Sequence, residues 1–164
     1  MRILTTTAAL AVLIAAPAYA ADGLIATHRI PAALANEAVG AAVAACAEQH
    51  YTETAVLVDA DGVVQAVLRG DGAGPHTQGS ANDKAYTAVT FKTNTLDLAT
   101  RAASQPQPSA LFTKLPHLLL FGGGVVIKAG DEVVGAIGAA GAPGATLDDG
   151  CAKAGLAKIQ DRLK

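Results

Sequence analysis

The stretch from Phe121 to Gly141 constrains the fold more than any other part of the chain. β-Branched residues cluster at 125–127 and 133–137 on either side of a short polar turn, and residues 133–141 carry no charge. Near-continuous apolar strands are usually buried on both faces of a sheet. We therefore predict three successive strands, over 117–121, 125–128 and 133–141, with the last in the middle of the sheet.

Glycines occur in this stretch in two settings, inside a strand and at a bend. Gly135 and Gly138 lie inside the last predicted strand, where a missing side chain lets a helix or a ligand approach the backbone. Gly122 to Gly124 predict a bend or bulge between paired strands. A phosphate-binding loop is the less favoured alternative, because a dinucleotide fingerprint needs a helix after its glycines and a strand follows here.

Residues 1–20 have the pattern of a secretory signal peptide. Arg2 gives a positive start, an apolar run follows over 8–16, and Ala18-Tyr19-Ala20 is a small-x-small cleavage site. We predict cleavage after Ala20 and one periplasmic or secreted domain over 21–164. No later apolar run reaches spanning length without a charge or a glycine, so we expect no membrane span in the mature chain. Acidic residues outnumber basic ones, which argues against a nucleic-acid partner.

The remaining periodicity predicts an order of helix, two strands, two or three helices, three strands and helix. Outside the last strands the predicted elements are a helix over 31–49, strands over 54–59 and 63–69, a helix over 80–92 opened by a Ser80/Asp83 capping pair, a helix over 95–103 capped by Asn94 or Thr95, a helical turn over 111–115, and a helix over 147–163. Helices and strands that occur in separate blocks along the chain predict an α+β fold, here a five-stranded antiparallel sheet with helices on both faces. Gly40, inside the first helix, predicts a close contact with the sheet.

Cys46 and Cys151 are the only two cysteines. The first falls near the end of the first helix and the second near the start of the last. If these helices run antiparallel on one face of the sheet, the cysteines reach the Cα separation of roughly 4.4–6.8 Å that a disulfide needs. Export favours that bond, because disulfides persist in oxidising compartments. We predict a Cys46–Cys151 disulfide, and two buried free thiols are the alternative.

Five segments of the chain, taken together and in order, resemble the GlcG/HbpS family of haem-binding or haem-degrading domain proteins. They are residues 69–77, 84–88, 121–128, 134–138 and 151–155. The resemblance covers nearly the whole mature chain. It implies a profilin-like or PAS-like sheet, a homo-oligomer and, as in some members, haem binding outside the cytoplasm. Ala139-Ala140-Gly141 departs from the Val-Ser-Gly often found there and lacks its hydroxyl.

The glycine-rich loop from Arg69 to Thr77 is the candidate ligand site. Successive N–H groups before a helix can form an anion-binding concavity, and Arg69 and Lys84 could hold a carboxylate or a haem propionate. His76 could ligate iron through a neutral imidazole. The candidate cofactor-binding set is Arg69, Asp71, His76, Thr77 and Lys84. In the alternative interpretation, Asp71 and Thr77 only order a turn, Lys84 is solvated and His76 is an exposed loop residue.

Other histidines and other functions stay open at this stage. His28 and His117 are weaker candidates for the iron ligand. No catalytic constellation is present, because Ser80 and Ser109 lack a nucleophile-elbow context and no Cys-x-x-Cys occurs. The first hypothesis is a haem-binding protein. The alternatives are a small-carboxylate enzyme or sensor of the glycolate-linked type and a ligand-free oligomeric interaction module.

Overall fold

The computed structural model describes residue 23 and residues 26–105 and 114–164. The predicted signal peptide and its cleavage site lie outside the described residues, as does most of the helical turn predicted over 111–115. The elements are α1 (Ala32–Ala47), β1 (Thr54–Asp59), β2 (Val64–Arg69), α2 (His76–Phe91), α3 (Thr95–Ser104), β3 (Gly124–Ala129), β4 (Glu132–Ala140), α4 (Ala145–Ile159) and a short 3-10 helix (Gln160–Arg162).

The strands form one antiparallel sheet in the order β2-β1-β4-β3. The uncharged strand β4 lies between β1 and β3, as its sequence predicts. Helices α1 and α4 pack on one face of this sheet and α2 packs on the other. The α+β class with helices on both faces is therefore confirmed. None of the described helices is both long and apolar enough to cross a membrane.

The prediction of a fifth strand over 117–121 is wrong. His117 has a φ of 63°, which a strand does not allow, and the segment runs along α2, where Leu119 N donates to Thr87 Oγ1 at 2.8 Å. The outer edge of β3 is already occupied. Val126 N donates to Asn94 Oδ1 at 3.0 Å and Gly124 N donates to Thr95 Oγ1 at 2.8 Å, so no ladder is left there for another strand.

Of the predicted helix caps, one is right in position only and the other is wrong. Asn94 does precede α3, but its side chain bonds β3 and makes no cap hydrogen bond. The Ser80/Asp83 cap is wrong because α2 begins at His76 and Ser80 lies inside the helix. Pro75 has a helical φ of −62° at the start of α2, and proline suits the start of a helix because it has no N–H to leave unpaired there.

The predicted disulfide is confirmed. Cys46 and Cys151 are bonded with a Cα–Cα distance of 5.6 Å across 105 residues of sequence. The end of α1 meets the start of α4, while the start of α1 is paired with the far end of the chain through Glu37 and Arg162. The two helices are therefore antiparallel, as the cysteine argument requires.

Gly138 sets the distance between β4 and α2. A methyl group at this position would overlap the carbonyl oxygen of Ala81 and lie 2.8 Å from Ala85 N. The predicted approach of a helix to this glycine is confirmed. The similar expectation for Gly40 is wrong, because a methyl group there would meet nothing within 4 Å.

We expect Gly138→Ala to destabilise the fold by about 3 kcal/mol or more. Overpacking typically costs about 1–3 kcal/mol, and here the obstacle is helix backbone that cannot move aside as a side chain can. Gly40→Ala is the matched control and should stabilise the protein by about 0.5–1 kcal/mol, because α1 gains a better helix former. Chemical denaturation of both variants measures the difference. Equal stability of the two variants would contradict this packing.

Candidate functional site

The loop between β2 and α2 is fixed by its own arginine. Arg69 Nε donates to Ala73 O at 2.8 Å, and Nη2 donates to the same carbonyl oxygen. Ala73 N in turn donates to Gly70 O at 3.1 Å. Much of the hydrogen-bonding capacity of the Arg69 guanidinium is thus used within the loop. The loop lies between two clefts, one on each side of the sheet at β2.

The first cleft lies on the α2 side and has a volume of about 470 Å³. It is lined by Val56, Val64, Val67, Pro75, Gln78, Gly79 and Asn82. α2 packs mainly over β1, β4 and β3, so this side of β2 stays uncovered, with Val64 46% and Val67 42% exposed. His76, next to Pro75 in the sequence, is exposed, and among the described residues its ring has no hydrogen-bond partner.

The second cleft lies on the α1 side and has a volume of about 570 Å³. Its lining is Val43, Ala47, His50, Tyr51, Thr52, Glu53, Leu68, Arg69, Gly70 and Asp71. Arg69 and Asp71 therefore border a different cleft from the one beside His76. Asp71 is exposed, and the structure does not bring these three side chains around one ligand position.

Thr77 and Lys84 are both buried, each only 2% exposed. Thr77 Oγ1 donates to Gly74 O at 2.7 Å and lies 2.6 Å from Thr54 Oγ1, which fits the turn-ordering interpretation. Lys84 is neither a surface anion ligand nor a solvated helix residue, so both sequence interpretations of it are corrected. Its long side chain points through the α2 face into the interior, where a carboxylate neutralises it.

That carboxylate belongs to Asp148, on the first turn of α4. Lys84 Nζ lies 2.5 Å from Asp148 Oδ2 and donates to Ala139 O at 3.0 Å. Nζ also lies 5.1 Å from the ring centroid of Phe121, a cation–π distance. The pair joins α2 to α4 from opposite faces of the sheet, past the end of β4.

A second buried carboxyl group, that of Glu53, extends this pair into a network. Ala142 N donates to both Asp148 Oδ1, at 2.9 Å, and Glu53 Oε2, at 3.0 Å. Burial and, to a lesser extent, the neighbouring Asp148 raise the pKa of Glu53 to about 8, while Lys84 opposes this rise. Glu53 is thus neutral near pH 7, and the network holds one positive, one negative and one neutral group.

Glu53 also touches the disulfide. Its Oε2 lies 3.2 Å from Cys46 Sγ, and a bonded half-cystine has no proton to donate. Its Oε1 is buried and has no hydrogen-bond partner among the described residues. The sequence analysis missed Glu53 entirely. The signal available there was a lone acid directly before an apolar strand.

The other two candidate histidines each bond a carboxylate. His28 Nδ1 lies 2.7 Å from Glu132 Oε2, and His117 Nδ1 lies 3.1 Å from Asp83 Oδ1. This is the arrangement in which a carboxylate orients an imidazole and leaves its other nitrogen free. His28 borders a smaller cleft of about 230 Å³ with Arg29 and Arg162. His117 stacks edge-on against Tyr86.

We expect Lys84→Met to lower the free energy of unfolding by about 3–5 kcal/mol, because it leaves Asp148 buried without its partner. Asp148→Asn should cost a similar amount. The double variant should cost clearly less than the two single changes added together, since groups in one network are not independent. Urea denaturation of the three variants measures this coupling. Simple additivity would mean that the pair contributes no mutual stabilisation.

Glu53 should make stability depend on pH. The folded state keeps the Glu53 proton up to about pH 8, while the unfolded chain loses it near the ordinary value of 4.5. The contribution of Glu53 to the free energy of unfolding is fully present below about pH 4.5. It is lost as pH rises to about 8, at up to about 1.4 kcal/mol per pH unit. Unfolding measured across this range should show that loss in the wild type and in Glu48→Gln, an exposed control, but not in Glu53→Gln.

Comparison with known proteins places this geometry in a family. Residues 30–157 match the family described as haem degrading protein HbpS-like. No curated protein matches the chain. A solved structure of HbpS is 36% identical, with 82% of this chain and 92% of that one covered and a TM-score of 0.75. A double mutant of Streptomyces reticuli HbpS is 35% identical, with coverage of 90% and 97% and a TM-score of 0.76.

A more distant similarity is to a structure described as a PduOC:heme complex. It is 25% identical, covers 80% of this chain and 96% of that one, and has a TM-score of 0.74. The family match spans well over half of the chain and includes every helix and strand up to most of α4. The chain therefore belongs to the HbpS-like family.

Proposed function

We propose that this protein binds haem outside the cytoplasm and that the His76 imidazole ligates the iron. The observation that carries the proposal is the placement of His76. An imidazole that is exposed, and that has no hydrogen-bond partner among the described residues, stands at the start of α2. It follows Pro75, which lines a cleft whose floor is the uncovered face of β2. A haem site needs an imidazole nitrogen that is free to bind the iron and an apolar wall against which the ring can pack.

The residues around the cleft fit a flat, largely apolar group. Val64 and Val67 offer a valine surface on one side, and Pro75 extends it towards His76. Gly79 lies one turn after His76, and a methyl group there would meet nothing within 4 Å, so the space above the helix is open. Arg69 borders the other cleft and bonds Ala73 O within its own loop, so we do not include it in this haem site. Bound haem would supply a redox-active iron centre.

The comparisons support haem as the ligand class. The chain belongs to the HbpS-like family, and the PduOC neighbour was solved as a complex with heme. The transfer of haem binding to this chain is our proposal, as is the choice of His76. His28 and His117 remain the competing ligands, because each already has the carboxylate partner that often accompanies a metal-bound histidine.

We further propose that the chain is exported and forms a homo-oligomer. The Cys46–Cys151 disulfide supports export, since such bonds persist outside the cytoplasm. Exposed apolar residues on β2 and in the turn before it support self-association; they are Val63, Val64, Val67 and Leu68. No described segment pairs with the outer edge of β2, so this edge is available to a second copy. Sedimentation velocity of haem-free protein measures whether copies associate.

The carboxylate-binding alternative draws less support from the geometry. It relied on Arg69 and Lys84 acting together, whereas Lys84 is neutralised inside the protein by Asp148 and Arg69 bonds its own loop. The ligand-free interaction module keeps one specific observation in its favour. The apolar surface at Val64 and Val67 is also the kind of patch through which proteins associate.

Titration of the purified mature protein with haemin tests the proposal. Wild type should shift the Soret band at a stoichiometry of one haem per chain. His76→Ala should change the Soret position and weaken binding by more than the roughly 10–100-fold typical for loss of a supporting partner of a metal ligand. His50→Ala is the matched control, an exposed histidine for which we propose no ligand role.

The outcomes separate the competing assignments. An unchanged spectrum for His76→Ala would refute its role, and a change in His28→Ala or His117→Ala would then identify the ligand. If haemin produces no Soret shift with wild type, haem binding itself is wrong. Association through β2 would then be the remaining function that the geometry favours.

A further inference from the structure

The disulfide belongs to a three-residue cluster in the interior. Cys46 and Cys151 are completely buried and Glu53 is 1% exposed. One ligand-type atom from each residue, two sulfurs and a carboxylate oxygen, lies within 4.8 Å of the others. The cluster sits between α1, α4 and the residue that precedes β1, and Glu53 also lines the cleft on the α1 side.

The carboxyl group is the feature that a purely structural disulfide does not explain. A disulfide that joins two helices needs no polar neighbour, and most buried cystines can pack against apolar side chains. Here Glu53 Oε1 is buried without a hydrogen-bond partner among the described residues, and Oε2 is 3.2 Å from Cys46 Sγ. Buried polar atoms nearly always have a partner, so a carboxyl group with one oxygen unpartnered and the other facing a disulfide sulfur suggests a partner that binds in another state.

We propose that, when the disulfide is reduced, Cys46, Cys151 and Glu53 bind a thiophilic divalent cation of the Zn²⁺ type. Two thiolates and one carboxylate are ligands that zinc takes in proteins. The cation would give the buried Glu53 carboxylate a partner of opposite charge. The same position would thus hold either a covalent bond or a metal ion.

The geometry needs little rearrangement. With Zn–S near 2.3 Å and Zn–O near 2.1 Å, ligand atoms of a tetrahedral site lie roughly 3.5–3.8 Å apart. The observed 3.2 Å between Cys46 Sγ and Glu53 Oε2 is already close to that spacing. Only the two sulfurs must separate, by side-chain rotation. The adjacent Lys84–Asp148 pair carries no net charge, so it does not oppose a cation.

The exchange between the two states balances as an ordinary thiol reaction. A dithiol reductant gives two electrons and two protons to the disulfide and itself becomes a disulfide. The cation then displaces three protons, one from each thiol and one from the Glu53 carboxyl group, and these pass to solvent. A disulfide oxidant later takes two electrons from the thiolates and two protons from solvent and becomes a dithiol. The sulfur–sulfur bond re-forms, the cation leaves, and Glu53 takes its proton back from solvent.

Cobalt titration of haem-free protein tests the proposal, because thiolate-bound Co²⁺ absorbs in the near ultraviolet. Protein reduced with a phosphine, which is then removed, should take up one Co²⁺ per chain with thiolate charge-transfer bands that excess Zn²⁺ abolishes. The oxidised protein should show none. Glu53→Gln should bind roughly 100-fold more weakly, whereas Glu48→Gln, an exposed acid two residues from Cys46, should match the wild type.

Two results would overturn the site. One is a reduced, folded wild type without thiolate bands, and the other is Glu53→Gln binding Co²⁺ as tightly as the wild type. If the reduced chain loses its structure without metal, circular dichroism replaces the titration. Zn²⁺ should then restore the fold of the wild type but not of Glu53→Gln, and failure to restore the wild type would equally refute the proposal.

Discussion

The arrangement of this protein depends on the buried ion pair between Lys84 and Asp148. An amine and a carboxylate taken out of water are costly unless each finds its partner in good geometry. Here α2 must approach the sheet closely enough for Lys84 to reach Asp148, and α4 must start where Asp148 can also accept Ala142 N. The small residues of α2 and the absent side chain of Gly138 are what permit this approach.

The pair also affects its surroundings. Asp148 and Glu53 share the N–H of Ala142, and the nearby Lys84 lowers the pKa of Glu53. Burial, with a further contribution from Asp148, outweighs this effect and raises that pKa to about 8. A neutral Glu53 next to the disulfide is thus mainly a consequence of burial, and Glu53 links the middle of the sheet to the two cysteines.

Much of the fold could be predicted because local patterns and global packing agree. The uncharged run identified β4, and the strands predicted over 54–59 and 63–69 correspond to β1 and β2, joined by a turn in which Gly62 has a φ of 79°. Two cysteines at helix ends identified the antiparallel pair α1 and α4. The strand predicted after Pro116 is wrong because that segment runs along α2. Apolar character alone does not distinguish a strand from such a segment.

The candidate site was harder to predict from sequence. The role of His76 as an iron ligand stays a prediction. Lys84 was interpreted as an anion ligand or a solvated helix residue, and both interpretations missed its burial because that depends on a carboxylate 64 residues away. Glu53 gave no local sign of its role, since its surroundings are supplied by α1, α4 and the end of β4. Residues whose chemistry is set by distant partners are those that periodicity and short motifs cannot identify.

The two edges of the sheet differ, and this difference limits how copies can join. Side chains of Asn94 and Thr95 occupy the outer backbone groups of β3, whereas β2 has no such cover among the described residues. In the association that we propose, pairing of β2 with β2 about a two-fold axis would use this edge on both copies, so growth through the sheet would stop at two chains.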